Sequence, residues 1–113
     1  GQVLCDTTGT LTVLDWDDAA RGPAIVDVAN FAAHLRLEGL RCLARRNEWT
    51  VAEREFTEAY FFTRGLEPWT TLESFAAGTL LRLAALAVER RADHGEALLL
   101  LERAGTVVAA GRT

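Results

Sequence analysis

The sequence predicts a mainly α (α+β) chain: an N-terminal β-hairpin followed by about four helices, in a single domain spanning residues 1–113. Three observations lead there. Short apolar runs flank the turn sequence Asp6-Thr7-Thr8-Gly9 near the start. Apolar residues recur at helical spacing from Pro23 onward. Later segments open on Thr-x-x-Glu or Asp-x-x-Glu pairs, which suit helix N-termini.

Gln2–Cys5 reads as the first strand and Leu11–Leu14 as the second, with Gly9 free to take positive φ in the turn between them. A lone hairpin is barely stable in water, so this one is expected to pack on something. Pro23 suits the first turn of a helix running to about Arg46, with Val28, Phe31 or Ala32, and Leu35 on its apolar face and Gly39 as a kink or join. Thr50 with Glu53 is expected to cap a second helix whose inner face holds Phe56, Ala59, Tyr60 and Phe62 and which Gly65 and Pro68 end. Thr70 with Glu73 opens a third, with Leu72, Phe75, Ala76, Thr79, Leu80, Leu83 and Ala87 inward and a basic last turn at Arg90 and Arg91. Asp93 with Glu96 opens a fourth, reaching about Ala110, where Gly111 stops it.

Composition bounds the function. Sixteen acidic residues against twelve basic ones give a net charge of −4, with no Lys/Arg stripe interleaved with aromatics, which argues against nucleic acid as a partner. No leader is visible, and the longest uninterrupted apolar run, Ala97–Leu101, is too short to span a bilayer, so a cytoplasmic protein without membrane partners is expected. Cys5 and Cys42 are expected to be reduced and packed. His34 and His94 lack a second His or Cys at metal spacing and read as packed or solvated. Arg45 and Arg46 read as a solvated helix end rather than a phosphate site.

The chemically richest stretch is Leu11–Phe31, LTVLDWDDAARGPAIVDVANF. An apolar strand ends in Asp15, and Asp17 and Asp18 follow. Neighbouring carboxylates repel unless a cation or hydrogen-bond donors neutralise them, and a hard cation such as Mg²⁺ prefers such oxygen ligands. Read without a ligand, Asp17 and Asp18 are solvated turn residues or a helix cap, and Asp27 is a carboxylate placed at the positive end of a helix dipole.

This segment resembles the metal-binding segment of aminoglycoside phosphotransferase/choline kinase-like enzymes. There an apolar strand ends in Asp, an aromatic follows, and about ten residues later an Asp opens a helix of the type Asp-hydrophobic-Ala-x-Phe, as in Asp27-Val28-Ala29-Asn30-Phe31. Gln2-Val3-Leu4 resembles the end of the family's catalytic loop and its following strand. The resemblance is densest over residues 2 to 35. It implies part of the C-lobe of a protein kinase-like fold and the C-terminal part of a Mg²⁺- and ATP- (or GTP-) dependent phosphotransferase acting on a small-molecule hydroxyl substrate. Asp15 would hold the Mg²⁺ that bridges the nucleotide phosphates. Gln2 would be the second metal ligand, where the family usually has Asn. Asp17 would add a water-mediated metal contact, Trp16 would stand beside the cofactor, and Asp27 would brace the catalytic loop. The catalytic Asp would fall before Gly1, and the nucleotide lobe is not in these residues. The chain is therefore expected to be a fragment, inactive by itself, binding no cofactor tightly and prone to self-association through apolar surface.

Three other readings are weaker. A haloacid-dehalogenase-like phosphatase needs Thr where Ala19 stands. A calcium loop beginning at Asp15 would need Glu where Val26 stands. A non-enzymatic helical interaction domain, with the acidic turn only a cap, is the main alternative.

Overall fold

The computed structural model describes residues 2–64 and 69–110. It holds a short antiparallel hairpin, β1 (Val3–Cys5) and β2 (Leu11–Val13), then four helices: α1 (Ala24–Arg41), α2 (Arg46–Arg64), α3 (Trp69–Arg91) and α4 (His94–Ala110). A single 3-10 turn, Leu43–Arg45, joins α1 to α2. Mainly helical architecture with an N-terminal hairpin thus agrees with the sequence. Gly65, Pro68 and Gly111, expected to end helices, lie outside the described residues, as does the Trp69 side chain.

The hairpin pairs Val3 with Val13, Leu4 with Thr12 and Cys5 with Leu11. The pairing continues one step further, where the Leu14 amide donates to the Gln2 carbonyl at 2.8 Å. The turn is organised by Asp6. Its Oδ1 accepts from the Thr8 amide (2.8 Å), the Thr8 hydroxyl (2.7 Å) and the Thr10 amide (2.9 Å). Gly9 takes φ 85°, as the turn requires. The expectation that the hairpin is packed is not met: every residue from Gln2 to Ala24 is exposed, Cys5 included, and neither strand packs extensively on a helix. Both cysteines are free thiols.

α1 is the centre of the helical part, with α2 and α3 packed on it and α4 packed on α3. Its buried face is built from small residues: Ala29, Ala32 and Ala33 are all fully buried, flanked by Ile25, Val28 and Leu37. α3 and α4 answer with Ala76, Ala84, Ala87, Ala97 and Ala104 around Leu72, Leu80 and Leu100. Alanine adds no side-chain entropy cost and lets helix backbones approach closely. α1 continues through Gly39 to Arg41, so that glycine is not a join between two helices.

Several inward positions differ from the expected phase. Phe62 is 93% exposed and Ala59 is also outside, whereas Thr57 is the buried residue of α2. Phe31 and Phe75 are partly exposed, although the Phe31 ring meets Phe56 at 4.6 Å between centroids. Thr50 and Thr70 do not cap. Both lie inside helices, and Thr50 Oγ1 donates back to the Arg46 carbonyl at 3.0 Å. Their supposed partners, Glu53 and Glu73, instead receive the buried Arg36: its Nε donates to Glu53 Oε1 at 2.7 Å and its Nη2 to Glu73 Oε1 at 2.7 Å. Burial opposes the Arg36 charge, but the hydrogen bonds to Glu73 and Glu53 outweigh it and hold the guanidinium above its ordinary range.

Asp93 does cap α4, accepting the Glu96 amide at 2.9 Å. The Glu96 side chain pairs with Arg41 (3.0 Å) and with Arg91, tying the end of α1 to the α3–α4 corner. α3 ends on Ala92 at φ 51°, whose amide donates to the Val88 carbonyl at 3.0 Å. Such a left-handed terminus is usually glycine. Over Thr70–Arg91 α3 is also long and apolar enough, by length and composition, to cross a membrane, which the run of Ala97–Leu101 did not suggest. One face of this stretch lies in the bundle core, which accounts for the same composition.

Two outcomes follow. Arg36→Met leaves two half-buried carboxylates facing each other, and is expected to cost about 3 kcal/mol in urea unfolding at neutral pH. Adding Glu53→Gln and Glu73→Gln should recover most of that loss. Ala92→Gly is expected to raise stability by about 0.5–1 kcal/mol, because glycine adopts positive φ without a Cβ clash. An unchanged or lower urea midpoint for Ala92→Gly would contradict this account of the corner.

Candidate functional site

The base of the hairpin, the loop after it and the first turn of α1 enclose a cleft of about 590 Å³. With Val3 opposite Val13, Gln2 falls opposite Leu14, and Asp15 is the next residue along, whose side chain regular pairing would send to the other face of the hairpin. Gln2 Nε2 donates to Asp15 Oδ2 at 3.2 Å. Asp15 sits at φ 63°, in the left-handed region where Asp is among the few tolerated side chains. Backbone held in that region clusters at functional sites.

Trp16 also lines the cleft. The residue is 68% exposed, but its Nε1 donates to the Val13 carbonyl at 2.9 Å, which anchors the indole against the end of β2. The Ala19 amide closes a turn onto the Trp16 carbonyl at 2.9 Å, with Asp17 and Asp18 at its corner. Asp18 borders the cleft and Asp17 does not. Asp27 reaches the cleft from the other side, in the first turn of α1, where the helix dipole favours a carboxylate. Arg21 is the cation of the cleft wall.

Of the residues singled out in the sequence, Gln2, Asp15, Trp16, Asp18 and Asp27 share this cleft. Asp17 stands in a solvated turn, with no shared ligand position. Among the described residues no group of three or more His, Cys, Asp and Glu side chains is placed to cage a metal. What the cleft offers is one carboxylate beside one amide. Gln2 presents its NH₂ to Asp15, and rotation about its soft last torsion would present Oε1 instead. Mg²⁺ is commonly held by one or two carboxylates together with substrate phosphates and waters, so this donor set fits an ion carried by a phosphate better than a resident one.

Asp6, at the far end of the hairpin, was legible only as a turn residue. Hydrogen bonds from the Thr8 side chain, then the Thr10 and Thr8 amides, hold its carboxyl below the ordinary 3.8. A carboxyl with a lowered folded pKa contributes stability above its unfolded pKa and loses it as pH falls through the folded one. The hairpin should therefore keep its order at neutral pH and lose it below about pH 4. Asp6→Ala should disorder residues 2–14 already at pH 7 while leaving far-UV helicity unchanged. Amide exchange read by NMR would show it, and retained protection at Leu4 and Thr12 in that variant would contradict it.

Comparisons of the chain with protein-family models, with curated proteins and with solved structures give no match.

Proposed function

We propose that this chain is the C-terminal part of a small-molecule phosphotransferase, similar to the aminoglycoside phosphotransferase/choline kinase-like enzymes and to the C-lobe of protein kinase-like folds. It would supply the carboxylate that holds a nucleotide-borne Mg²⁺ and the helices on the acceptor side. The observation that supports this reading is the Gln2–Asp15 contact at 3.2 Å, which joins the two side chains expected to share the ion.

In this reading Asp15 and Gln2 would hold a nucleotide-borne Mg²⁺, which would supply positive charge to the phosphates of ATP or GTP. Asp15 supplies the anionic ligand and Gln2 the neutral one. Trp16, fixed through its indole N–H, gives the cleft a rigid apolar wall. The Asp27 carboxylate lines the cleft and makes no hydrogen bond among the described residues, which leaves both of its oxygens for a backbone or ligand donor. The acceptor is a hydroxyl of an antibiotic, choline-like or sugar-like molecule. No His-x-Asp sequence occurs in the 113 residues, so no general base of the family's type is present to take the acceptor's proton.

A second reading has its own support. Val3, Leu11 and Val13 share one face of the hairpin and are 48%, 66% and 49% exposed, which suits a helical interaction domain that docks through an apolar patch. The same patch supports the expectation of self-association.

Titration with Mn²⁺, followed by NMR, separates the two readings. The ion is expected to broaden the Gln2 side-chain amide and the Asp15 amide first, and Asp15→Asn should weaken the effect about tenfold by removing the anionic ligand. Broadening that ignores this substitution would end the metal reading. The purified chain should transfer no phosphoryl group from ATP to any hydroxyl acceptor, and measurable turnover would overturn the fragment reading.

A further inference from the structure

Toward the C-terminal end of α1, away from the cleft at its start, a smaller pocket of about 60 Å³ opens between α1, α2 and α4. Arg36, Arg46, Trp49, Thr50, Glu53 and Arg103 contribute its polar lining. Trp49 lines this pocket, and its Nε1 is buried without a hydrogen-bond acceptor, the one such side-chain atom among the described residues. An indole N–H can only donate, so it calls for an acceptor atom. Leaving it unpaired is costly in a medium of low dielectric.

The charges around it have the matching sign. Glu53 is the pocket's carboxylate, and it is already bound by Arg36 at 2.6 Å. Arg36 is in turn shared with Glu73. Arg46 and Arg103 carry the remaining positive charge, and neither forms an ion pair among the described residues. Arg45, by contrast, is engaged by Glu48 at 2.7 Å and lies 5.9 Å from the Trp49 ring centroid. Its cation over the ring face draws electron density from the indole and makes the N–H a better donor. The pocket also lies at the start of α2, where the helix dipole is positive.

Arg46 and Arg103 border a second hollow of about 300 Å³ as well, walled by Leu40, Leu43 and Leu99, with Glu102 and Thr106 at its edge. Leu43 is 69% and Leu99 48% exposed, so the wall is apolar and open. The two arginines thus stand between a small polar pocket and a larger apolar one.

We infer that this is a binding site for a small molecule carrying a tetrahedral oxyanion on an apolar body, such as a phosphomonoester. The oxyanion accepts from Trp49 Nε1 and pairs with Arg46 and Arg103. The apolar body covers Leu40, Leu43 and Leu99. The small pocket has room for a few water-sized groups, as a single phosphate requires, and not for a ring. The site is separate from the hairpin cleft and does not depend on what that cleft binds.

The test follows the indole N–H resonance of Trp49 in ¹⁵N-labelled full-length chain, assigned with Trp49→Phe, at constant ionic strength. Inorganic phosphate should give a saturable downfield shift that chloride does not. Phenyl phosphate should bind more tightly than inorganic phosphate, and benzyl alcohol should not bind. Arg46→Gln with Arg103→Gln, both at exposed positions, should leave the far-UV spectrum unchanged and weaken phenyl phosphate at least about tenfold. An indole that responds equally to chloride, that shows only a bound water untouched by phosphate, or that shifts identically in the double variant would overturn the site. Equal affinity for inorganic and phenyl phosphate would overturn the apolar half of the assignment, and binding of benzyl alcohol as tight as phenyl phosphate would overturn the anionic half.

Discussion

The helical part of this protein depends on one buried cation. The Arg36 side chain, 6% exposed, projects from the central helix and is met by Glu53 of α2 and Glu73 of α3. α2 and α3 both pack on α1 but share no extensive contact with each other among the described residues. Arg36 is therefore what relates them: each carboxylate fixes the axial position of its own helix against the same guanidinium. Apolar packing alone specifies that position weakly here, because the α1 surface is lined by Ala29, Ala32 and Ala33, whose small side chains offer few ridges for register. A buried ion pair contributes little net stability and more to selecting one arrangement over its neighbours.

That tie also explains which parts of the fold could be read from the chain and which could not. The hairpin was legible because its determinants are local: apolar runs of the right length around Asp6-Thr7-Thr8-Gly9, with glycine where positive φ is needed. The α4 cap was legible for the same reason, since Asp93 and the Glu96 amide are three residues apart. The pairs Thr50/Glu53 and Thr70/Glu73 look identical in sequence, yet Glu53 and Glu73 answer a partner 17 and 37 residues away. No local pattern distinguishes a carboxylate that caps from one that waits for a distant arginine. The phase of α2 was obscured by three adjacent aromatics, Tyr60, Phe61 and Phe62, any of which could have faced inward.

The cleft was half legible. Strand pairing brings Gln2 to the end of β2 once the turn is known, but it is the positive φ of Asp15 that departs from strand alternation there, and Asp27 lines the same cleft from α1. For Asp17 the sequence left two readings open, metal contact or solvated turn, and the turn that the Trp16 carbonyl closes with Ala19 puts it in the second place. The Trp49 pocket was invisible in the sequence. Arg46 and Arg103 are more than fifty residues apart and meet only because α4 folds back over α3. Read along the chain, Arg45 and Arg46 are one basic step at a helix start. In space one is neutralised by Glu48 and the other lines the same pocket as Trp49.

The exposed hairpin has a consequence for the cleft beneath it. Asp15 belongs to the hairpin and Asp27 to the helices, and residues 14–23 join these parts without a common core. The distance between the two carboxylates is thus set by a tether and not by packing. Fixing backbone costs about 1–2 kcal/mol per residue, so a ligand bridging both sides spends part of its contact energy on stiffening that tether. Any body that pressed the hairpin against α1 would meet this cost in advance, and the two occupants would then strengthen each other's hold by an equal factor.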